Sequence, residues 1–234
     1  MHNNFLGYVH ELIEKIDACQ RENIDKASNL IVDCLKRKGV VQAFGSGHSY
    51  GSALELVERA GGLFATKMIK DPALGIYEKV EGIGSILMNK VQIMPEDVVV
   101  IISYSGRNPL GIEVAEIVKK KGARIIAVTS LESSKKATSR HSGGKLLYEY
   151  ADVVLDMMGV EGDAAMQLDP LPTKICPTSS IAAAALIQGT VYETVQKLIK
   201  DGIVPDVRIS ANLDHGTENN IKVAEKYADR IFRI

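Results

Sequence analysis

The 234-residue chain has no tryptophan, and only 5% of it is aromatic. Its three cysteines, Cys19, Cys34 and Cys176, are an odd number, widely separated and without a CxxC pair. Those spacings exclude a disulfide framework and a structural zinc site, and make a reducing cytoplasm the expected compartment. Net charge is nearly absent: 28 basic side chains face 29 acidic ones, a formal charge of −1. There is thus no electrostatic footprint for a nucleic acid or an anionic membrane. No apolar run approaches the ~20 residues that span a bilayer. The first residues, MHNNFLGYVHELIEKID, are acidic and amphipathic and do not read as a secretory leader. The five histidines (His2, His10, His48, His141, His215) are scattered with no metal-ligand spacing. No metal and no cofactor are expected.

What is present is 46% hydrophobic residues, enough for a full core at this length, and 20 glycines that cluster beside serines. Apolar residues recur at helical spacing over residues 5–38, which predicts two helices or one kinked helix closed by Gly39. Short apolar runs predict strands at 40–44, 63–69, 97–102, 124–129 and 151–156. Helical spacing returns at 50–60, 82–90, 110–121, 179–200 and 218–232. A polar, basic loop occupies 130–145, and a Pro/Gly-punctuated segment 159–177. Strands that alternate with helices and are, for the most part, continuously apolar predict an open, doubly wound α/β domain with a parallel sheet.

Ligands bind such sheets at the carboxyl ends of the strands. Three segments there combine a helix start with small hydroxyl residues: Gly45-Ser46-Gly47-His48-Ser49, Ser103-Tyr104-Ser105-Gly106-Arg107-Asn108, and Thr178-Ser179-Ser180. Glycine-freed amides, helix ends and hydroxyls suit a small phosphate. The competing reading of each is a plain N-cap or turn. Gly47-His48-Ser49-Tyr50-Gly51 also satisfies the G-x-S-x-G elbow of serine hydrolases, with Asp206 or Asp214 and His215 in a permitted order. Only one strand precedes it, however, and no oxyanion loop lies upstream. A nicotinamide fingerprint fails because the third glycine falls on Tyr50. Asp71, before Pro72, reads equally well as a turn former.

These three loops resemble the phosphosugar-binding loops of sugar isomerase (SIS) domains. More narrowly they resemble single-domain bacterial SIS proteins, a subgroup that is uncharacterised or assigned to phosphosugar isomerases. Glu58-Arg59-Ala60-Gly61-Gly62-Leu63, Val80-Glu81-Gly82, residues 144–154 and Ser210-Ala211-Asn212 fit the same subgroup, so the resemblance covers nearly the whole chain. It implies one domain over residues 1–234, with a helical segment (1–38) ahead of a three-layer α/β/α sandwich (39–234) around a five-stranded parallel sheet. A homodimer is also implied. The phosphate of a sugar phosphate would lie against the loops of Ser49, Ser103 and Ser105. SIS domains often carry Ser-x-Ser-Gly-x-Ser/Thr in the second loop, whereas the last position here is Asn108, whose amide N–H₂ is the available replacement donor.

The resemblance implies an aldose–ketose isomerase that moves a proton between C1 and C2 through an enediol. Glu55, in the helix that follows the first loop, is the candidate base, against a surface pair with Arg59 at i,i+4. Glu58 is its rival. Glu81 is read as facing solvent, His215 as an acid/base candidate or a turn residue, and His48 as a ligand contact or a backbone position only. Two other readings stay open: a sugar-phosphate-binding regulatory protein without catalysis, and a lyase or etherase acting on an amino-sugar phosphate.

Overall fold

The computed structural model describes residues 4–231. Buried positions recur at helical spacing through Leu12, Ile16, Gln20, Ala27 and Ile31, and no glycine or proline interrupts them, so the first helical stretch is continuous rather than two helices. It is one element, α1 (Phe5–Lys36), started by Asn4, whose Oδ1 accepts the Gly7 N–H at 2.7 Å. Its end departs from expectation. Lys38, not Gly39, takes the left-handed conformation (φ 60°). Gly39 is required for another reason: a Cβ there would lie 2.4 Å from the Glu96 carbonyl oxygen.

Five strands form a parallel sheet: β1 (Val41–Gly45), β2 (Thr66–Ile69), β3 (Val98–Ile102), β4 (Arg124–Thr129) and β5 (Val153–Asp156), in the order β2-β1-β3-β4-β5. Every residue of β1 and β3 is buried. That is why β3 reads as an unbroken apolar run, whereas β1 admits one polar residue, Gln42, whose amide donates to Asp97 and to the Gln92 carbonyl. Alternate residues serve opposite faces. Val98, Val100 and Ile102 pack into a core with α1 and α6 (Ser179–Lys200). Val99 and Ile101 pack into a second core with α4 (Pro109–Lys120), which lies beside α3 (Ile83–Met88). The result is the three-layer α/β/α sandwich. Among the described residues no helix is long and apolar enough to cross a membrane.

Several elements differ from their sequence signals. The helix expected over 50–60 is the short α2 (Ser49–Ala53). Leu56 and Val57 are drawn into the core, and Glu58 then takes φ 60°, which a continuing helix cannot accommodate. The expected loop at 130–145 begins with α5 (Leu131–Lys136). The Pro/Gly-punctuated segment contains an antiparallel ribbon, β6 (Ala164–Met166) with β7 (Ile175–Pro177). The last helical stretch is divided into α7 (Gly216–Ala224), one 3₁₀ turn and α8 (Ala228–Ile231); Phe232 lies outside the described residues.

The cysteines occupy three different environments: Cys19 exposed, Cys176 half-buried and Cys34 buried. Burial first, and then the nearby charge of Asp97, push the Cys34 thiol up to about 12. A thiol kept protonated and covered is inert. Timed labelling with a maleimide at pH 8 is therefore expected to modify Cys19 quickly and Cys34 only after denaturation. Equal rates for the two in the native protein would contradict this packing.

Candidate functional site

The chain leaves β1 toward β2 on one side and reaches β3 on the other, so the sheet order reverses between β1 and β3. In open α/β sheets a crevice opens at that point, at the carboxyl ends of the strands. Here it is a cleft of about 600 Å³, lined by the first loop (Ser46–Ser49), the second loop (Ser103–Ser105 and Asn108), and Leu74, Gly75 and Glu78.

The first loop turns sharply over the end of β1. A Cβ on Gly45 would lie 2.3 Å from the Ser49 carbonyl oxygen, so only glycine admits the turn. Ser46 is committed within the protein, since its hydroxyl donates to Asp71 Oδ2 at 2.7 Å. Asp71 is the turn former that its place before Pro72 suggested, and more. It also accepts the Ala73 N–H at 3.0 Å and the Gly75 N–H at 2.8 Å, and so fastens the 71–75 turn to the first loop.

The second loop is held from behind by β4. The Tyr104 carbonyl accepts from Thr129 Oγ1 and the Ser130 N–H, both at 2.9 Å. Arg140 donates to Asn108 Oδ1 at 2.8 Å. Arginine can only donate, so this contact fixes the amide with its oxygen toward Arg140 and leaves the N–H₂ as the free end. The hydroxyls of Ser49, Ser103 and Ser105 carry no hydrogen bond to other described residues, and all three line the cleft.

The third loop does not join this cleft. Ser179 and Ser180 line an adjoining cavity of about 530 Å³, which shares His48, Ser49 and Tyr104 with the first. Its helix start is already occupied: Asp163 accepts the N–H groups of Thr178 (3.0 Å) and Ser179 (2.8 Å) and the Ser179 hydroxyl (2.6 Å). A carboxylate thus sits where an anion would bind. The Tyr104 phenol points into this second region and donates to the Val160 carbonyl; burial raises it above its ordinary value.

The expected acid–base residues are dispersed. Glu55 pairs with Arg59 at 3.5 Å, the i,i+4 contact weighed above, and lines neither cavity. Glu58 is exposed, and His215 is an exposed residue ahead of α7; neither lines these cavities. Glu81 accepts the Ser142 hydroxyl at 2.9 Å and its N–H, and these bonds hold its carboxyl below the usual range. His48 lines both cavities. Glu78 is the carboxylate in the first cleft, three residues before the Glu81 that the sequence pattern draws attention to. Its only sequence signal is its place between a turn-forming Asp-Pro and a glycine-started helix.

A model of the SIS domain matches residues 4–130. The chain belongs to the SIS domain family. This SIS protein is 49% identical over 230 residues to a UPF0309 protein of Listeria monocytogenes, covering 98% of both chains. It is 35% identical over 240 residues to a UPF0309 protein of Geobacillus kaustophilus, covering 99% of this chain and 96% of that one. The SIS fold is also seen in the phosphoheptose isomerase of Neisseria gonorrhoeae, with a TM-score of 0.57 and 18% identity over 80% of this chain and 92% of that chain. The corresponding enzyme of Francisella tularensis has the same TM-score at 15% identity, over 82% and 94% of the two chains.

Proposed function

We propose that this SIS protein binds a sugar phosphate in the cleft between β1 and β3 and interconverts its aldose and ketose forms, working as a single-domain cytoplasmic homodimer. One observation carries the ligand class. The loops after two adjacent strands turn the uncommitted hydroxyls of Ser49, Ser103 and Ser105, with the free amide end of Asn108, onto one cleft. Neutral donors at a strand–helix junction hold a phosphate without any lysine or arginine, and the cleft lining contains neither. Phosphoheptose isomerases of the same fold support the choice of a phosphosugar and of isomerisation. The reaction needs no cofactor: it moves one proton between neighbouring carbons through an enediol.

The test is loss of affinity without loss of fold. Hydrogen bonds to a charged group contribute about 1.5–3 kcal/mol each. Ser103→Ala with Ser105→Ala is therefore expected to weaken sugar-phosphate binding by about a hundredfold or more. Calorimetric titration against hexose, heptose and amino-sugar phosphates measures this, with the circular dichroism spectrum unchanged. A double variant that binds as tightly as the parent would place the phosphate elsewhere.

A further inference from the structure

An enediol isomerisation requires a base that reaches C1 and C2, and the expected base Glu55 is turned to Arg59 outside both cavities. Resting on the isomerase reading above, we propose that Glu78 is the base that carries the proton between the two carbons. Three observations converge on it. Glu78 is the carboxylate lining the cleft and, apart from His48, its one titratable acid–base group besides the Tyr104 phenol, which is engaged with Val160. It is half-buried, and its carboxylate has no hydrogen bond or ion pair to other described residues. By contrast, the buried or half-buried carboxylates Asp71, Asp97, Glu113, Asp152 and Asp163 each accept several hydrogen bonds.

The third observation is how its backbone is held. On one side the 71–75 turn is fastened to the first loop through Asp71. On the other, the Glu78 carbonyl accepts the Leu110 N–H at 3.2 Å, at the start of the helix that follows the second loop. The two loops that would hold the phosphate therefore also fix the position of Glu78. A main chain clamped at both ends under an uncommitted side chain is the arrangement a proton carrier needs: placed, and free to react.

Charge sets the direction in which the ligand lies. A phosphate dianion against the Glu78 carboxylate would be repelled in a partly desolvated cleft. The phosphate thus lies toward the serine hydroxyls and the carbonyl end of the open-chain sugar toward Glu78. From the aldose, the carboxylate takes the proton on C2. The C–H electron pair becomes the C1=C2 double bond as O1 takes up a proton. Glu78 then returns its proton to C1 while O2 gives one up and C2 becomes the carbonyl carbon. The oxygen-bound protons exchange with water in the open cleft, so atoms and charge balance without a further reactant.

The experiment compares the parent, Glu78→Gln, Glu78→Asp and Glu55→Gln with fructose 6-phosphate, sedoheptulose 7-phosphate and glucosamine 6-phosphate in D₂O. NMR follows deuterium entering at C1 and C2, calorimetry follows binding, and thermal melting reports the fold. The parent is expected to bind a member of the panel and exchange its C–H protons. Glu78→Gln should bind the same compound, melt like the parent and lose exchange at least about a hundredfold. Glu78→Asp should recover part of the exchange, and Glu55→Gln should retain it. Exchange within threefold of the parent in Glu78→Gln overturns the assignment and leaves the isomerase reading standing. Binding by the parent without any exchange overturns both the base and the catalytic half of that reading. Absence of binding by the parent overturns the functional reading itself.

Discussion

Arg230→Ala is expected to lower the stability of the native protein by about 3 kcal/mol, because it strands a fully buried carboxylate. Asp97 is completely inaccessible and precedes β3. It accepts the N–H groups of Val40 and Met94, both at 2.9 Å, and Gln42 Nε2 at 3.1 Å. Its only cationic partner among these contacts is Arg230, whose Nη2 lies 2.7 and 2.8 Å from the two carboxylate oxygens. Removal of one member of a buried pair costs about 3–5 kcal/mol. The lower end applies here because three neutral donors stay with Asp97. At this chain length that corresponds to a fall of roughly 6–12 °C in Tm. Guanidinium unfolding of the parent, Arg230→Ala, Asp97→Asn and the double variant would measure it. The double variant should lose less than the sum of the two single substitutions, since the charge that was stranded is then gone. A single variant as stable as the parent would mean that the carboxylate is satisfied without the C-terminal helix.

Gly75→Ala is the second substitution with a large expected effect, and it acts on the site. Gly75 has φ 92°, outside the conformations an L side chain adopts comfortably, and its Cβ would lie 2.8 Å from Gly47 Cα and 2.9 Å from Gly47 N. Both contacts are with backbone, so no side chain can swing away. The 71–75 turn must move off the first loop, weakening the Asp71 bonds to Ser46 and Gly75 and displacing Glu78. A loss of about 2 kcal/mol in stability is expected from strain, with sugar-phosphate affinity reduced more than tenfold. Gly51→Ala is the control: Gly51 is exposed in α2 and a Cβ would meet nothing within 4 Å. It should leave affinity unchanged and stability equal or slightly higher. If both glycines tolerated alanine equally, crowding between the turn and the first loop would not be what shapes the cleft.

The layered architecture was legible because burial leaves a one-dimensional trace. Strands covered on both faces need apolar residues at every position, as in Val98–Ile102, and helices covered on one face need them every third or fourth, as in α1 and α4. The loops after β1 and β3 were legible for a similar reason. Glycine at Gly45 answers a close approach of the chain to itself, and serines beside it mark a helix start. Helix lengths were less legible. Residues 50–60 have helical spacing, yet Leu56 and Val57 are taken by the core in another geometry, and periodicity does not record which neighbour claims a side chain.

The site divided along the same line. Composition and local pattern determined that this is an α/β chain with hydroxyl-rich loops at its strand ends, and that its near-zero charge is no obstacle to a small phosphate. Only the tertiary structure decided which loops meet. It closed the third with Asp163, fifteen residues upstream in sequence, and turned Glu55 to Arg59. It also brought Glu78 to the cleft by anchoring one turn to two loops through Asp71 and Leu110. The reason is physical. A hydrogen-bonding side chain is chosen by whatever donor or acceptor lies within about 3 Å of it in space. For Asp71 with Ser46 and Asp163 with Ser179 that partner is distant along the chain, while for Glu55 the structure chose between a cleft and the i,i+4 neighbour that spacing had offered.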